Sequence, residues 1–442
     1  MQPVPTLEHP IGNSRRRNGP GTMRNAPFLW DSGLPALLLR CLTLCTIAVA
    51  AGCAEESSRD AEPQATIELQ TAATPLFHSA SSSDPRVRDV GRLNGAMFVE
   101  PGRFVFVDGF SLNLVFASVA AGDVVVVGGK GDGPGEYEFP QLLSPLDNGG
   151  VAVWDRLKMR LTLVNPDGTV AETANYMDMS SSQPIFLGAN VSLVARFADG
   201  TVAFREPRRI PRSGQRQLVG EYRDTIRYLI QGPGQSPRPI ARLLDGEMHR
   251  LVRGTSRSET SVIFGHWSLS AQVGQHLALT QTDLGFVQIL DASGVQVGRV
   301  PLPSSIAVTE DDIAAERARR VALAEARERM FAELSGDPVS LEDIAERVAS
   351  IPANTLAPPI DRVSGDLDGR LWLRLFRPGA EWEEWQVWDI AEGDAVLEFV
   401  LTLPLGEELL DAAGNRVLLR QKDEMDVSYL VVREIEGYGS LR

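Results

Sequence analysis

The sequence predicts an all-β fold, a six-bladed β-propeller carrying a helical hairpin insertion between blades 4 and 5. Three observations predict it: a recurring strand–turn–strand unit, its near-regular spacing, and one stretch of strong helix formers over residues 309–351. The first unit is Arg103-Phe104-Val105-Phe106-Val107-Asp108 followed by Leu112-Asn113-Leu114-Val115-Phe116. The second is Val151-Ala152-Val153-Trp154-Asp155 followed by Leu161-Thr162-Leu163-Val164, closed by Pro166-Asp167-Gly168. β-branched and aromatic runs bounded by such turns mark short antiparallel strands. Later units open at Thr201, His276, Arg370 and Arg416; their second strands are expected at Thr225 to Ile230, Val287 to Leu290, Gln386 to Trp388 and Tyr429 to Val432.

The strand-end residues Val107, Trp154, Phe204, Leu279, Leu373 and Leu419 are separated by 47, 50, 75, 94 and 46 residues. The value of 75 contains a polar hairpin, Glu206 to Gln217, and the value of 94 contains the helical stretch. Without them the period approaches the roughly 40–50 residues of propeller blades. A small sheet cannot bury both faces alone, so such units stack radially. Ala65 to Gln70 alternates and is expected to supply the outer strand of the last blade. Within the fifth unit Trp372 is expected to point inward and Leu373 outward.

In the helical stretch, Thr309-Glu310-Asp311-Asp312 reads as an N-cap with acids in the first turn. Ser340-Leu341-Glu342-Asp343 reads as a second cap, with Leu341, Ile344, Val348 and Ile351 on one face before Pro352. The hairpin serves either as a packing arm against the rim or as a lid or docking arm.

The N-terminus reads as an address. Residues 1–52 form an extension and signal peptide, with Met23 an alternative start to Met1. The uninterrupted apolar run Cys41 to Ala51 has the length of a signal-peptide core and is too short to span a bilayer. It ends in Ala50-Ala51-Gly52-Cys53, which resembles a bacterial lipobox and makes Cys53 the expected lipidation site. Residues 53–64 have linker composition, and 65–442 form the propeller. Ala54, where Asp would favour inner-membrane retention, points to an outer-membrane lipoprotein facing the periplasm or the cell surface. Removing 1–52 takes away five basic and two acidic residues, moving the net charge from −15 to −18. Lipid, not electrostatics, then holds the protein to an anionic membrane, and no nucleic acid is expected as a partner. Cys41 and Cys45 leave with the signal, so neither a disulfide scaffold nor a four-thiolate metal site is open to the mature chain.

Gly128-Gly129-Lys130-Gly131-Asp132-Gly133-Pro134-Gly135-Glu136-Tyr137 and Asp366-Leu367-Asp368-Gly369-Arg370-Leu371-Trp372-Leu373 resemble motifs of the six-bladed β-propeller lipoproteins of bacteria, relatives of the NHL-repeat propellers. The Leu-x-Leu-Pro ends at residues 300–303 and 401–404 are similar to that family's blade ends. The resemblance implies the fold and export, and brings no agreed activity.

Candidate sites follow from residue chemistry. The glycine-rich stretch departs from a phosphate loop, because Lys130 precedes Gly131 and no helix follows. It reads as an inter-blade loop, with Asp132 and Glu136 as alternative ligand contacts at the rim. Asp108, Asp155 and Asp368 are candidates for a divalent cation such as calcium, although turn chemistry also accounts for the first two. Of His78, His249, His266 and His276, no pair has the short helical spacing of a zinc motif. Trp382 follows a loop tip, where an exposed aromatic can stack on a sugar or anchor a partner. No Gly-x-Ser-x-Gly stands in the chain. The expected function is non-catalytic binding of a protein, peptide or glycan at the cell envelope, without a cofactor. The alternatives are a metal-dependent lactonase- or lyase-like hydrolase and a structural envelope scaffold.

Overall fold

A computed structural model describes residues 66–441, apart from 91, 121, 177–190, 208–219, 254–255, 336–340, 391–394 and 426. The expected signal segment 1–52, Cys53, the linker 53–64 and the Ser340 cap lie outside the described residues.

The chain opens with β1 (Glu68–Gln70), β2 (Phe77–His78) and the single turn α1 (Pro85–Arg88). A first sheet comprises β3 (Leu93–Glu100), β4 (Arg103–Asp108), β5 (Asn113–Ser118) and β6 (Val124–Gly128). The second comprises β7 (Pro140–Pro145), β8 (Val151–Asp155), β9 (Arg160–Val164) and β10 (Val170–Asn175). The third has five strands, β11 (Ser192–Arg196), β12 (Val202–Pro207), β13 (Gly220–Gln231), β14 (Arg238–Arg253) and β15 (Ser256–Ser261). The fourth runs through β16 (Ser268–Val273), β17 (His276–Gln281), β18 (Phe286–Leu290) and β19 (Gln296–Pro301). Next come a ribbon and two helices: β20 (Ile306–Ala307), α2 (Glu310–Ser335), α3 (Glu342–Ala349) and β21 (Leu356–Ala357). The fifth sheet holds β22 (Ile360–Gly365), β23 (Leu371–Leu375), β24 (Trp382–Asp389) and β25 (Val396–Pro404). The sixth holds β26 (Glu407–Ala413), β27 (Arg416–Lys422) and β28 (Ser428–Glu434).

The N-terminal strand corrects the expectation drawn from Ala65 to Gln70. β1 pairs parallel with β25 of the fifth sheet, Leu69 opposite Leu401. The outer strand of the sixth sheet is β2, antiparallel to β28, with Phe77 opposite Val432. Alternation identifies a strand but carries no information about which edge it joins.

Both faces of the middle strands are buried. Trp372 and Leu373 are 1% and 0% exposed, so the expected outward Leu373 is corrected. Trp372 packs with Trp385, Phe399, Leu409 and Leu419 toward the sixth sheet, while Leu371 and Leu373 pack with Val273, Ala278 and Val287 of the fourth. A sheet stacked between two others has no solvent face, which is why its strands read as continuous apolar runs.

The first-to-second-strand turns of neighbouring sheets meet. Arg416 Nη1 donates to Pro101 O at 2.8 Å, and Gly414 and Arg370 are hydrogen-bonded across the fifth and sixth sheets. Ala198 N donates to Gln275 Oε1 at 2.8 Å, linking the third and fourth. A Cβ added to Gly274 would stand 3.4 Å from Gly369 Cα, and one added to Gly149 would stand 2.5 Å from Glu100 Oε1. First strands lie beside first strands throughout: β26 by β3, β3 by β7, β7 by β11, β11 by β16 and β16 by β22. The sheets therefore run in one sense. Their first-to-second turns share one end of the molecule, and their second-to-third turns share the other.

The expected hairpin Glu206 to Gln217 lies largely outside the described residues; β13 and β14, of 12 and 16 residues, fill much of the long interval around it. Thr309 caps α2 reciprocally: Asp312 N donates to Thr309 Oγ1 at 3.1 Å, and Thr309 N to Asp312 Oδ2 at 2.9 Å. Ile313 and Ile351 pack with Ile263, Phe264 and Ala357, fastening the base of the helical segment to the third sheet's exit.

Candidate binding face

The second-to-third-strand turns are built alike. In the first sheet the Asp108 carboxylate accepts from Phe110 N at 3.2 Å and Ser111 N at 3.4 Å, and from Ser111 Oγ at 2.6 Å. In the second, Asp155 accepts from Leu157 N at 3.1 Å and Lys158 N at 3.2 Å. Each turn then closes on a left-handed residue, Leu112 (φ 59°) and Met159 (φ 50°). In the sixth, Asp423 accepts from Met425 N and Val427 N, both at 2.9 Å, and these N–H groups hold its carboxyl below the usual range. All three are Asx-type turns, in which a carboxylate replaces a backbone acceptor.

What turn chemistry does not require is the residue two places on. Phe110 is 72% exposed, Leu157 45% and Met425 80%. Leu284 in the β17–β18 turn and Trp382 at the start of β24 are exposed as well. Each second-to-third turn among the described residues thus presents at least one large apolar side chain to solvent at the turn or the strand start beside it, and the sixth presents Val427 as well as Met425. Phe139, Trp267 and Leu405, in connections leading into first strands, are exposed at the same end. The helical segment leaves from this end too, and its distal part exposes Leu323, Met330, Phe331 and Leu334.

Asp155 is fully buried and also accepts from Glu138 N at 2.7 Å and Phe139 N at 3.3 Å. Its oxygens serve four backbone amides. Asp368 lies in the β22–β23 turn, at the opposite end from Asp108 and Asp155, and is bound to Arg370 Nη2 at 3.1 Å. The structure does not bring the three carboxylates together. Among the described residues no group of three or more His, Cys, Asp or Glu side chains converges as a metal-binding set.

The glycine-rich connection β6–β7 is held from beneath. Arg160 Nη1 donates to Asp132 O at 3.1 Å and Gly133 O at 3.2 Å, and Arg160 Nη2 donates to Glu136 O. Lys158 Nζ donates to Gly131 O and pairs with Asp132 Oδ1 at 3.0 Å. The Lys158 hydrogen bond lowers the Asp132 carboxyl from its ordinary value. The loop therefore turns carbonyls toward cations, the reverse of a cradle of N–H groups for phosphate. Glu136 Oε2 accepts from Gly133 N at 2.8 Å, and Gly128 (φ 97°) and Gly129 (φ 127°) adopt backbone that L residues rarely take. Asp132 and Glu136 remain exposed on the apolar-tipped end.

A polar group beside Trp267 was not legible in the sequence. Glu247 Oε2 accepts from His266 N at 2.9 Å and Asn354 Nδ2 at 2.7 Å, while Arg223 Nη1 pairs with Asp283 Oδ2 at 2.8 Å. Burial pushes the Asp283 carboxyl up, and the Arg223 hydrogen bond and charge more than offset this. His266 Nδ1 lies 3.1 Å from Thr282 Oγ1. Phe264 nearby has φ 55°, and its carbonyl also accepts from Asn354 Nδ2, at 3.3 Å. These contacts join the base of the helical segment to the third and fourth sheets. Glu247, His266 and Asn354 are far apart in sequence, and no spacing signals their meeting.

No protein-family model matches the sequence, and no curated protein matches it. Solved structures resemble it in fold. A protein of Bacteroides fragilis described as exported is 11% identical with a TM-score of 0.36, covering 84% of this chain and 99% of that one. A member of the DUF4221 family from Bacteroides vulgatus is 10% identical with a TM-score of 0.36, over 84% and 98%. The calcium-binding protein regucalcin from Agrobacterium tumefaciens is 10% identical with a TM-score of 0.32, over 84% and 97%. Likeness of this degree carries no activity across.

Proposed function

We propose that this chain is an exported, lipid-anchored six-bladed β-propeller that binds a protein partner through its apolar-tipped face, without catalysis. The observation that carries the reading is the exposure of Phe110, Leu157 and Met425, each placed two residues after a turn-forming aspartate. Isolated exposed apolar residues are ordinary. A set repeated at one position of one turn type, on one end of the molecule, marks an interaction surface. Rigid turns present these side chains at little ordering cost, which favours binding. The helical segment, anchored at its base and apolar at its distal part, flanks that face as a docking arm. The lipobox-like stretch ending at Cys53 supports export and anchoring.

The test is photo-crosslinking in cells from an unnatural residue at position 110 or 425. A discrete protein adduct is expected, and it should be lost when the other two tips are changed to Ser. Absence of adducts from both positions would sink the reading.

A further inference from the structure

We infer that two copies of this chain pair edge to edge along β6, the outer strand of the first sheet, in an antiparallel dimer. This surface is distinct from the apolar tips. An outer strand offers a row of unpaired N–H and C=O groups to any other strand. Proteins guard such edges with charge, proline, bulges, very short strands or a covering element. β6 lacks these guards.

The other five sheets show how this fold treats its outer edges. In the second, β10 carries the exposed Glu172, with a shift of register between Val170 and Glu172. In the third, β15 carries the exposed Glu259, and Arg320 of α2 closes its end by donating to Ser261 O at 2.7 Å. In the fourth, β19 contains Gly298, the exposed Arg299 and Pro301, opposite a shift of register at Ile289 and Leu290. β25 of the fifth is covered by the three residues of β1, and β28 of the sixth by the two residues of β2. β6 reads Val124-Val125-Val126-Val127-Gly128 and pairs with Ala117 to Asn113 of β5 without a shift. Its outward edge has no partner strand among the described residues. Four consecutive valines favour the extended backbone that strand addition needs.

Charge and symmetry select a second copy as the occupant. From Gly122 to Gly131 the only charged residues are Asp123 and Lys130, one beyond each end of β6, and both are exposed. Neither makes an ion pair among the described residues. An antiparallel copy sets its Lys130 toward Asp123 and its Asp123 toward Lys130, whereas a parallel one sets like charge against like. A twofold interface is self-complementary, so the same edge serves both copies. With one unguarded edge per copy among the described residues, pairing stops at two. The valine side chains already pack within the domain: Val124 and Val126 lie against the cluster of Phe104 and Leu418, Val125 and Val127 against that of Tyr137 and Val151. Backbone hydrogen bonds over a short strand then make most of the contact, so the dimer is weak and concentration-dependent.

Asp123 and Lys130 of one copy stand about 20 Å apart along their own strand. A zero-length carbodiimide crosslink cannot span that distance, so an Asp123–Lys130 amide reports a second copy. The full chain carrying Cys53→Ser is mixed in unlabelled and heavy-isotope-labelled forms and followed by sedimentation from about 1 µM to about 1 mM. A monomer–dimer equilibrium and a mixed-isotope Asp123–Lys130 amide are expected, and the outward amides of Val124 to Gly128 should exchange about tenfold more slowly as the dimer fills. Asp123→Lys should weaken the dimer about fivefold, and Asp123→Lys/Lys130→Asp should restore it. Phe110→Ser/Leu157→Ser/Met425→Ser should dimerise as the parent does. A chain that stays monomeric across the range, a dimer indifferent to the charge changes, β6 amides that exchange as in the monomer, or a dimer lost with the tips would overturn the assignment. The photo-crosslinking test of the tips is untouched by any of these results, so the two readings fail separately.

Discussion

Asp411 in β26 accepts a 2.7 Å hydrogen bond from the backbone N–H of Phe98 in β3, across 313 residues of sequence. This bond joins the last sheet to the first at a buried position. Burial raises the Asp411 carboxyl well above the ordinary aspartate range, against the two backbone N–H groups that favour its charge.

Asp411→Ala should destabilise the domain by about 1–3 kcal/mol, because the Phe98 N–H is left buried without an acceptor. Urea unfolding measures it.

Asp411→Asn should change the pH dependence instead. A carboxyl whose folded pKa is raised contributes stability that is complete below the unfolded value of about 4 and is lost as pH rises through the folded value. Asparagine lacks that loss. The difference in unfolding free energy between variant and parent should therefore move in the variant's favour from about pH 5 to about pH 7.

Arg370 is the second seam. Its guanidinium reaches Asp366 Oδ2 at 2.6 Å, Tyr438 Oη at 2.7 Å and Gly414 O at 2.9 Å, with only 6% of its side chain exposed. Arg370→Ala strands a buried Asp366 and should cost about 3–5 kcal/mol. Arg370→Lys should recover only part, since a single ammonium cannot fork to three acceptors. Chemical denaturation of both variants checks the order.

Gly365→Ala should destabilise through crowding alone. A Cβ there would stand 2.0 Å from Gln272 O, a backbone atom of the neighbouring sheet that cannot swing away. The expected loss is about 1–3 kcal/mol, read as a lowered Tm.

The tips should behave in the opposite way. Changing Phe110 or Met425 to Ser should move stability by no more than about 0.5 kcal/mol each, since little of either residue is buried, whereas Leu157→Ser, at a residue 45% exposed, should cost about 1 kcal/mol. Calorimetry beside the crosslinking assay separates loss of partner from loss of fold.

The strands were legible because runs such as Arg370 to Leu373 are buried on both faces and end at Asp-Gly turns. The expected second strands fall within β13, β18, β24 and β28. Sequence could not say that Asp108 and Asp155 would spend their oxygens on their own turns, since a turn aspartate and a cation ligand look alike in text. Nor could it mark Phe110 or Leu157, because an apolar letter beside a strand reads as core. Their exposure is a property of the turn's three-dimensional course. Contacts such as Glu247 with Asn354 depend on how separate sheets abut, which local pattern does not encode.

The placement of β1 and β2 has a consequence for how the molecule is made. The residues that complete the fifth and sixth sheets are among the first of the folded region to be synthesised, yet their partners, Val400 to Thr402 and Val431 to Val432, are among the last. β1 has no edge to join until Val400 to Thr402 are made, and β2 has none until Val431 and Val432 follow. The slowest step of maturation is then a loop closure spanning nearly the whole domain. A chain truncated before Val400 leaves both strands without an edge, and one truncated before Val431 still leaves β2 without its partner. These two N-terminal strands are thereby a built-in check that synthesis was finished.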